Sequence, residues 1–210
     1  MTDAVKEDVL EQIVDDYLKS MEYFTRHNVR FRPNPDHPDF VKNRDSVPSD
    51  IDVLGYNPKK RSRFERVVAV SCKSWQGGFN AERILHLLSH DDEPPSRQHW
   101  KDYRELWVPK WSEAFVAKVH QATGQQEFTF IFAVTKMHGA WSEEVASERW
   151  STEPRIANAL GGRPLRFLTL ETMWNAILEQ ATFTPEPSDI GRIMQLLRAA
   201  GLVGVKKTGQ

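Results

Sequence analysis

Ser49-Asp50-Ile51-Asp52-Val53-Leu54-Gly55, followed after a basic turn by Val67-Val68-Ala69-Val70-Ser71-Cys72-Lys73-Ser74-Trp75, decides how this chain is read. Each is an apolar run of strand length, and the turn Asn57-Pro58-Lys59-Lys60-Arg61-Ser62-Arg63 between them makes the pair a hairpin. Side chains alternate across a strand, so Asp50, Asp52 and Leu54 share one face, and so do Ser71 and Lys73. Carboxylate oxygens suit a hard cation, and an ammonium beside them offsets phosphate charge. The hairpin therefore carries the parts of a metal-dependent phosphodiesterase. A plainer reading stands next to it, in which Asp50 and Asp52 are solvated edge residues and Lys73 is a surface charge.

Outward from the hairpin, the first helix is the clearest element. From Glu7 to Phe24, Val9, Leu10, Ile13, Val14, Tyr17, Leu18 and Met21 recur at helical spacing with charged residues between them. Asn28 to Arg32 alternates polar and apolar and predicts a short strand, closed by the proline-rich loop 33–38. Ile51 to Tyr56 and Phe64 to Cys72 are the hairpin strands, the second fully apolar over Val67 to Val70 as in a central strand. Downstream, the pattern predicts a helix over Ala81 to Ser89, a helix or a broken pair around Pro109, and a buried strand over Phe128 to Val134. A helix over Glu143 to Trp150, a strand over Pro164 to Leu170 and a helix over Glu171 to Gln180 complete this part. Pro185-Glu186-Pro187 reads as a linker, and Ser188 as the cap of a helix from Ile190 to Ala200. The expected organisation is one α/β domain over residues 1–182, a mixed sheet with helices on both faces, and a linker with a helical extension over 183–210.

Composition narrows the function classes. With 210 residues and 40% hydrophobic content, the chain has room for one well-buried core and a small appendage. A net charge of -1 gives no global field for nucleic acid, so any basic surface must be local. The single cysteine, Cys72, excludes an internal disulfide and a thiolate zinc site, which suits a reducing cytoplasm. No apolar run approaches the length of a membrane span, and the N-terminus lacks a signal-peptide core.

The order of three segments adds to this. Glu11-x-x-Val14-x-x-Tyr17-Leu18, then Ser49-Asp50-Ile51-Asp52-Val53-Leu54, then Val68-Ala69-Val70-Ser71-Cys72-Lys73, resembles the PD-(D/E)xK nuclease superfamily, which has the restriction-endonuclease-like fold. The resemblance covers residues 7–76 by motif and extends to about residue 180 by order of elements. It implies a three-layer core of helix, three strands, helix and strand, with a Mg²⁺ (or Mn²⁺) site at the hairpin and DNA as the substrate. Carried over by position, Asp52 is the metal-binding aspartate and Lys73 the lysine that orients or deprotonates the attacking water. Glu11 matches the first-helix glutamate that supports the metal. The departure is Ser71, where the family has Glu or Asp: a hydroxyl is a neutral, weak ligand for Mg²⁺. Asp50, Glu11 or a carboxylate elsewhere replaces that acid, or the fold has lost hydrolysis and serves as a nucleic-acid-binding or protein-interaction module.

Further residues carry paired readings. Gln76 is a polar group near a scissile phosphate or a loop residue before Gly77-Gly78. Tyr103, between Lys101 and Arg104, could touch a phosphate, though a core tyrosine between solvated charges is the commoner case. Lys59, Lys60, Arg61 and Arg63 form a cationic turn able to grip a nucleic-acid backbone, or are merely solvated. Cys72 alternates away from Ser71 and Lys73, toward the core, where a thiol is inert. His86 and His90 have metal-pair spacing but lack the acid a zincin requires, which favours a surface helix. The amphipathic C-terminal helix leaves two roles open: docking on the core, or pairing with a partner chain in a homodimer.

Overall fold

The computed structural model describes residues 8–90, 99–180 and 188–203. The linker 185–187 and most of the loop 90–95 lie outside these. Five strands form one mixed sheet in the order β1 (Phe24–Phe31), β2 (Ser49–Tyr56), β3 (Val67–Lys73), β4 (Thr129–Val134) and β5 (Leu165–Thr169). β1, β2 and β3 run antiparallel to their neighbours, and β3, β4 and β5 run parallel. The parallel pairs need crossovers, and the intervening segments supply them as helices. β4 is buried at every position, as expected of a strand covered on both faces.

Helices cover each face. On one lie α1 (Val9–Ser20), α8 (Leu170–Gln180) and α9 (Asp189–Ala199). Leu10, Val14 and Leu18 of α1 meet Val53, Val68, Val70 and Ile131 of the sheet, while Ile13 joins Ile177 and Met194. On the other face lie α3 (Ala81–Ser89), α4 (Arg104–Trp107), α5 (Pro109–Thr123), α6 (Glu143–Thr152) and α7 (Pro154–Leu160). There the heavy aromatic content forms the core: Phe79, Phe132, Trp150 and Phe167 have ring centroids 5.1 to 6.1 Å apart. Aromatic contacts of this kind add to the gain from burial itself.

Local chemistry sets the helix ends. The Asp8 side chain accepts from the Leu10 amide and starts α1, Asn80 caps α3 through the Arg83 amide, and Ser188 caps α9 through the Gly191 amide. Pro109 opens α5 at its first turn, where its missing N–H costs nothing, so the expected break around it is a helix start. α7 closes on Gly161 at φ 57, a left-handed conformation that favours glycine. Two elements escape the periodic pattern, α7 and the short α2 (Lys42–Asp45), and the second hairpin strand begins at Val67 because residues 63–65 form a turn. Among the described residues, no helix is long and apolar enough to cross a membrane.

Candidate active site at the end of the hairpin

Asp52 stands just past the end of one ladder and at a one-pair gap in the other. Pairing between β2 and β3 reaches Val53↔Val70 and stops one step short of Asp52 and Ser71. Between β1 and β2 the register runs through His27↔Val53 and Val29↔Ile51 but omits Asn28 and Asp52, with Asn28 at φ 51. The Asp52 side chain takes over part of the lost bonding: the Cys72 amide donates to its Oδ2 at 2.5 Å. Its Oδ1 accepts no hydrogen bond among the described residues. Burial pushes the Asp52 carboxyl above its ordinary value; the Cys72 amide and Lys73 pull it back, and Asp50 and Asp8 push it further up.

Lys73 ends β3. Val67 and Ala69 belong to the aromatic core, whereas Val68, Val70 and Cys72 belong to the α1 side, so alternation puts Ser71 and Lys73 on the aromatic face. The Lys73 ammonium lies 3.5 Å from the Asp102 carbonyl oxygen and 5.5 Å from the centroid of the Tyr103 ring. Tyr103 itself is 1% exposed, a core tyrosine, and burial raises its hydroxyl pKa. Asp52 and Lys73 feel each other's charge without closing to an ion pair. Ser71 is half-buried beside them, opposite Phe132 of β4.

The remaining residues fall into distinct places. Asp50 is exposed, across the ladder from Arg30. Glu11 occupies the first turn of α1, on the far side of β3 from Lys73, where its charge, with those of Asp52 and Asp8, adds to burial in pushing the Cys72 thiol up. Such a thiol is no nucleophile. Asp8 ties the start of α1 to the end of β3, because the Ser74 hydroxyl donates to its Oδ2 at 2.6 Å. Gln76 is exposed in the turn after β3, and Trp75 before it is 42% exposed and stacked on Phe79.

The basic turn is not beside this site. It joins β2 to β3 at the opposite end of the hairpin, six residues along β3 from Lys73, about 20 Å at the rise of a strand. Its charges are also partly engaged: Lys59 pairs with Glu22 at 3.1 Å, Lys60 sits over the Tyr23 ring, and Arg63 reaches Glu127 at 3.8 Å. The His86 and His90 rings lie 4.2 Å apart between centroids, tilted at 44°, and His90 Nδ1 lies 2.8 Å from the His86 carbonyl, so His90 is engaged within its own helix. A cleft of about 710 Å³ opens between the end of β1 and α5, walled by Arg30, Phe31, His37, Lys110, Glu113 and Lys118. It holds neither Asp52 nor Lys73.

One acid is absent from the sequence reading. Glu105 of α4 is 9% exposed, and burial raises its carboxyl while Lys73 lowers it and Asp52 raises it. The available signal was slight: a single acid in a run that buries Tyr103, Leu106 and Trp107. Asp52 and Glu105 could contribute oxygens to a divalent cation, but among the described residues no group of three or more His, Cys, Asp or Glu is gathered as a metal cluster. In comparison with known proteins, no family model matches the chain, and neither the curated proteins nor the solved structures give a match.

Proposed function

We propose that the protein is a Mg²⁺-dependent nuclease with the restriction-endonuclease-like fold, acting on DNA at the parted end of β2 and β3. One observation carries this reading: Asp52 and Lys73 both lie beyond the last β2–β3 pair, within range of each other's charge, with one Asp52 oxygen free of hydrogen bonds among the described residues. The order of one helix, three strands, helices and a parallel strand agrees with it. A divalent cation bound there would polarise a phosphodiester and acidify a water. Asp52 holds its charge toward that position, kept in place by the Cys72 amide. Lys73 offsets the negative charge that grows on the phosphate as the water oxygen bonds to phosphorus and the leaving oxygen departs, and the Asp102 carbonyl and Tyr103 ring orient it.

A second reading rests on Ser71. A neutral hydroxyl beside Asp52 lowers affinity for a hard cation, which favours a silent nucleic-acid-binding or protein-interaction module on the same fold. Cleavage of supercoiled and branched DNA with Mg²⁺ or Mn²⁺ separates the two. The nuclease reading expects Asp52→Ala and Lys73→Ala each to lower the rate by about 100-fold or more. Cleavage unchanged in both variants overturns it, and wild-type protein that binds DNA without cutting it supports the silent module.

A further inference from the structure

Glu105 is a buried acid with no bonding role assigned to it. Apart from its own backbone amide, no hydrogen-bond donor or ion-pair partner engages its carboxylate among the described residues. A solitary carboxylate 9% exposed is costly, and a fold keeps one where something compensates it. The backbone just before it is tied to the end of β3. The 3-10 turn His99–Tyr103 and α4 lie across the end of β3, since the Lys73 ammonium is 3.5 Å from the Asp102 carbonyl and over the Tyr103 ring. Glu105 follows two residues later and feels the charges of both Lys73 and Asp52. Flanking polar atoms are also unsatisfied: the Tyr103 hydroxyl and the Trp107 indole N–H are buried without a partner, and the Tyr103 hydroxyl feels the Glu105 charge.

We propose that Glu105 supplies, with Asp52, the second carboxylate of a divalent-cation site, in place of the acid that Ser71 does not provide. The assignment rests on the nuclease reading of Asp52 and Lys73. Charge balance agrees with it. Two carboxylates and one ammonium carry one net negative charge; a divalent cation turns this into one net positive charge, which matches a single phosphodiester. Delivery of the acid from α4 rather than β3 also accounts for a neutral Ser71 on the strand, because a third carboxylate on that face would add like-charge repulsion.

Titration of the full chain with Mn²⁺, followed by electron paramagnetic resonance or calorimetry, tests the assignment without requiring turnover. Glu105→Gln is expected to weaken Mn²⁺ binding at least about tenfold, as is Asp52→Asn. Ser71→Glu placed in the Glu105→Gln background is expected to recover most of the lost affinity, which a merely structural glutamate would not allow. Glu105→Gln removes a buried charge and nearly keeps the shape, and thermal unfolding of the same samples checks that the fold stands. Unchanged Mn²⁺ affinity in Glu105→Gln, with loss in Asp52→Asn, overturns the role of Glu105 and leaves the nuclease reading intact. Wild-type protein that binds no Mn²⁺, or binding indifferent to Asp52→Asn, overturns both.

Discussion

Gly55 lies on β2 directly under α1, and a Cβ built there would come within 2.8 Å of Val68 Cγ2 and 3.2 Å of Leu18 Cδ1. The backbone of β2 can approach the helix this closely only because the residue has no side chain. Gly55→Ala is therefore expected to destabilise the fold by about 1–3 kcal/mol, read from the urea midpoint at constant slope. The hairpin that carries this glycine was legible in the sequence, including the shared face of Ser71 and Lys73, because strand alternation is local. Glu105 was not. Nothing in Arg104-Glu105-Leu106-Trp107 announces that the acid turns inward, since its burial depends on how α4 meets the end of β3. Likewise, the expectation that Lys59, Lys60, Arg61 and Arg63 flank the site reflects closeness in sequence, whereas an antiparallel pair puts its turn and its open end at opposite poles.

At the scale of elements, α9 is attached to α1 by a titratable contact. The Ser188 hydroxyl, which caps α9, donates to Asp16 Oδ2 at 2.7 Å, and Met194 is fully buried against Ile13, Ile177 and Leu178. Burial raises the Asp16 carboxyl; the Ser188 hydrogen bond lowers it, and the neighbouring Asp15 adds to the rise. A carboxyl raised in the fold binds its proton more tightly there than in the unfolded chain. The contribution of Asp16 to stability is thus greatest below the ordinary value of 3.8 and is lost as pH rises through the raised one. Asp16→Asn keeps an acceptor for Ser188 without the buried charge, so its melting temperature is expected to gain on the wild type as pH climbs across that window. Asp16→Ala removes the acceptor and is expected to cost about 1 kcal/mol. Caps and periodicity made α3 and α9 readable to within a residue, whereas the apolar pattern of α1 ran on to Phe24, four residues past the helix end at Ser20 and into β1. α2 and α7 have too few turns to show a period.

For the molecule as a whole, the long connection from β1 to β2 is held to α5 by one buried ion pair. Lys110 donates to Asp45 Oδ2 and, at 2.7 Å, to the Asp39 carbonyl; the two side chains are 4% and 0% exposed. Burial alone would raise the Asp45 carboxyl, but the Lys110 hydrogen bond, the Val41 amide and the Lys110 charge hold it low. Lys110→Met strands that carboxylate and is expected to cost about 3–5 kcal/mol by urea unfolding. Pairing it with Asp45→Leu should return a large part of the loss. Sequence reading gave the α/β class and the mixed sheet, since both follow from the order of periodic segments. It gave no sign of this pair, because Asp45 and Lys110 are far apart in the chain and each looks like an ordinary surface charge.

The omission of Asn28 from the ladder has a consequence for solubility. β1 is an outer strand of the sheet, paired on one side with β2, and its outward positions include Arg26, His27 and Arg30. A straight, uncharged outer strand is a template on which another chain can add, the first step of fibril growth. With Asn28 in a left-handed conformation, the backbone donors and acceptors of β1 cannot present an unbroken row, and cationic side chains on either side repel an identical strand. The same irregularity that frees Asp52 from its ladder therefore also acts as a gatekeeper against edge-to-edge aggregation.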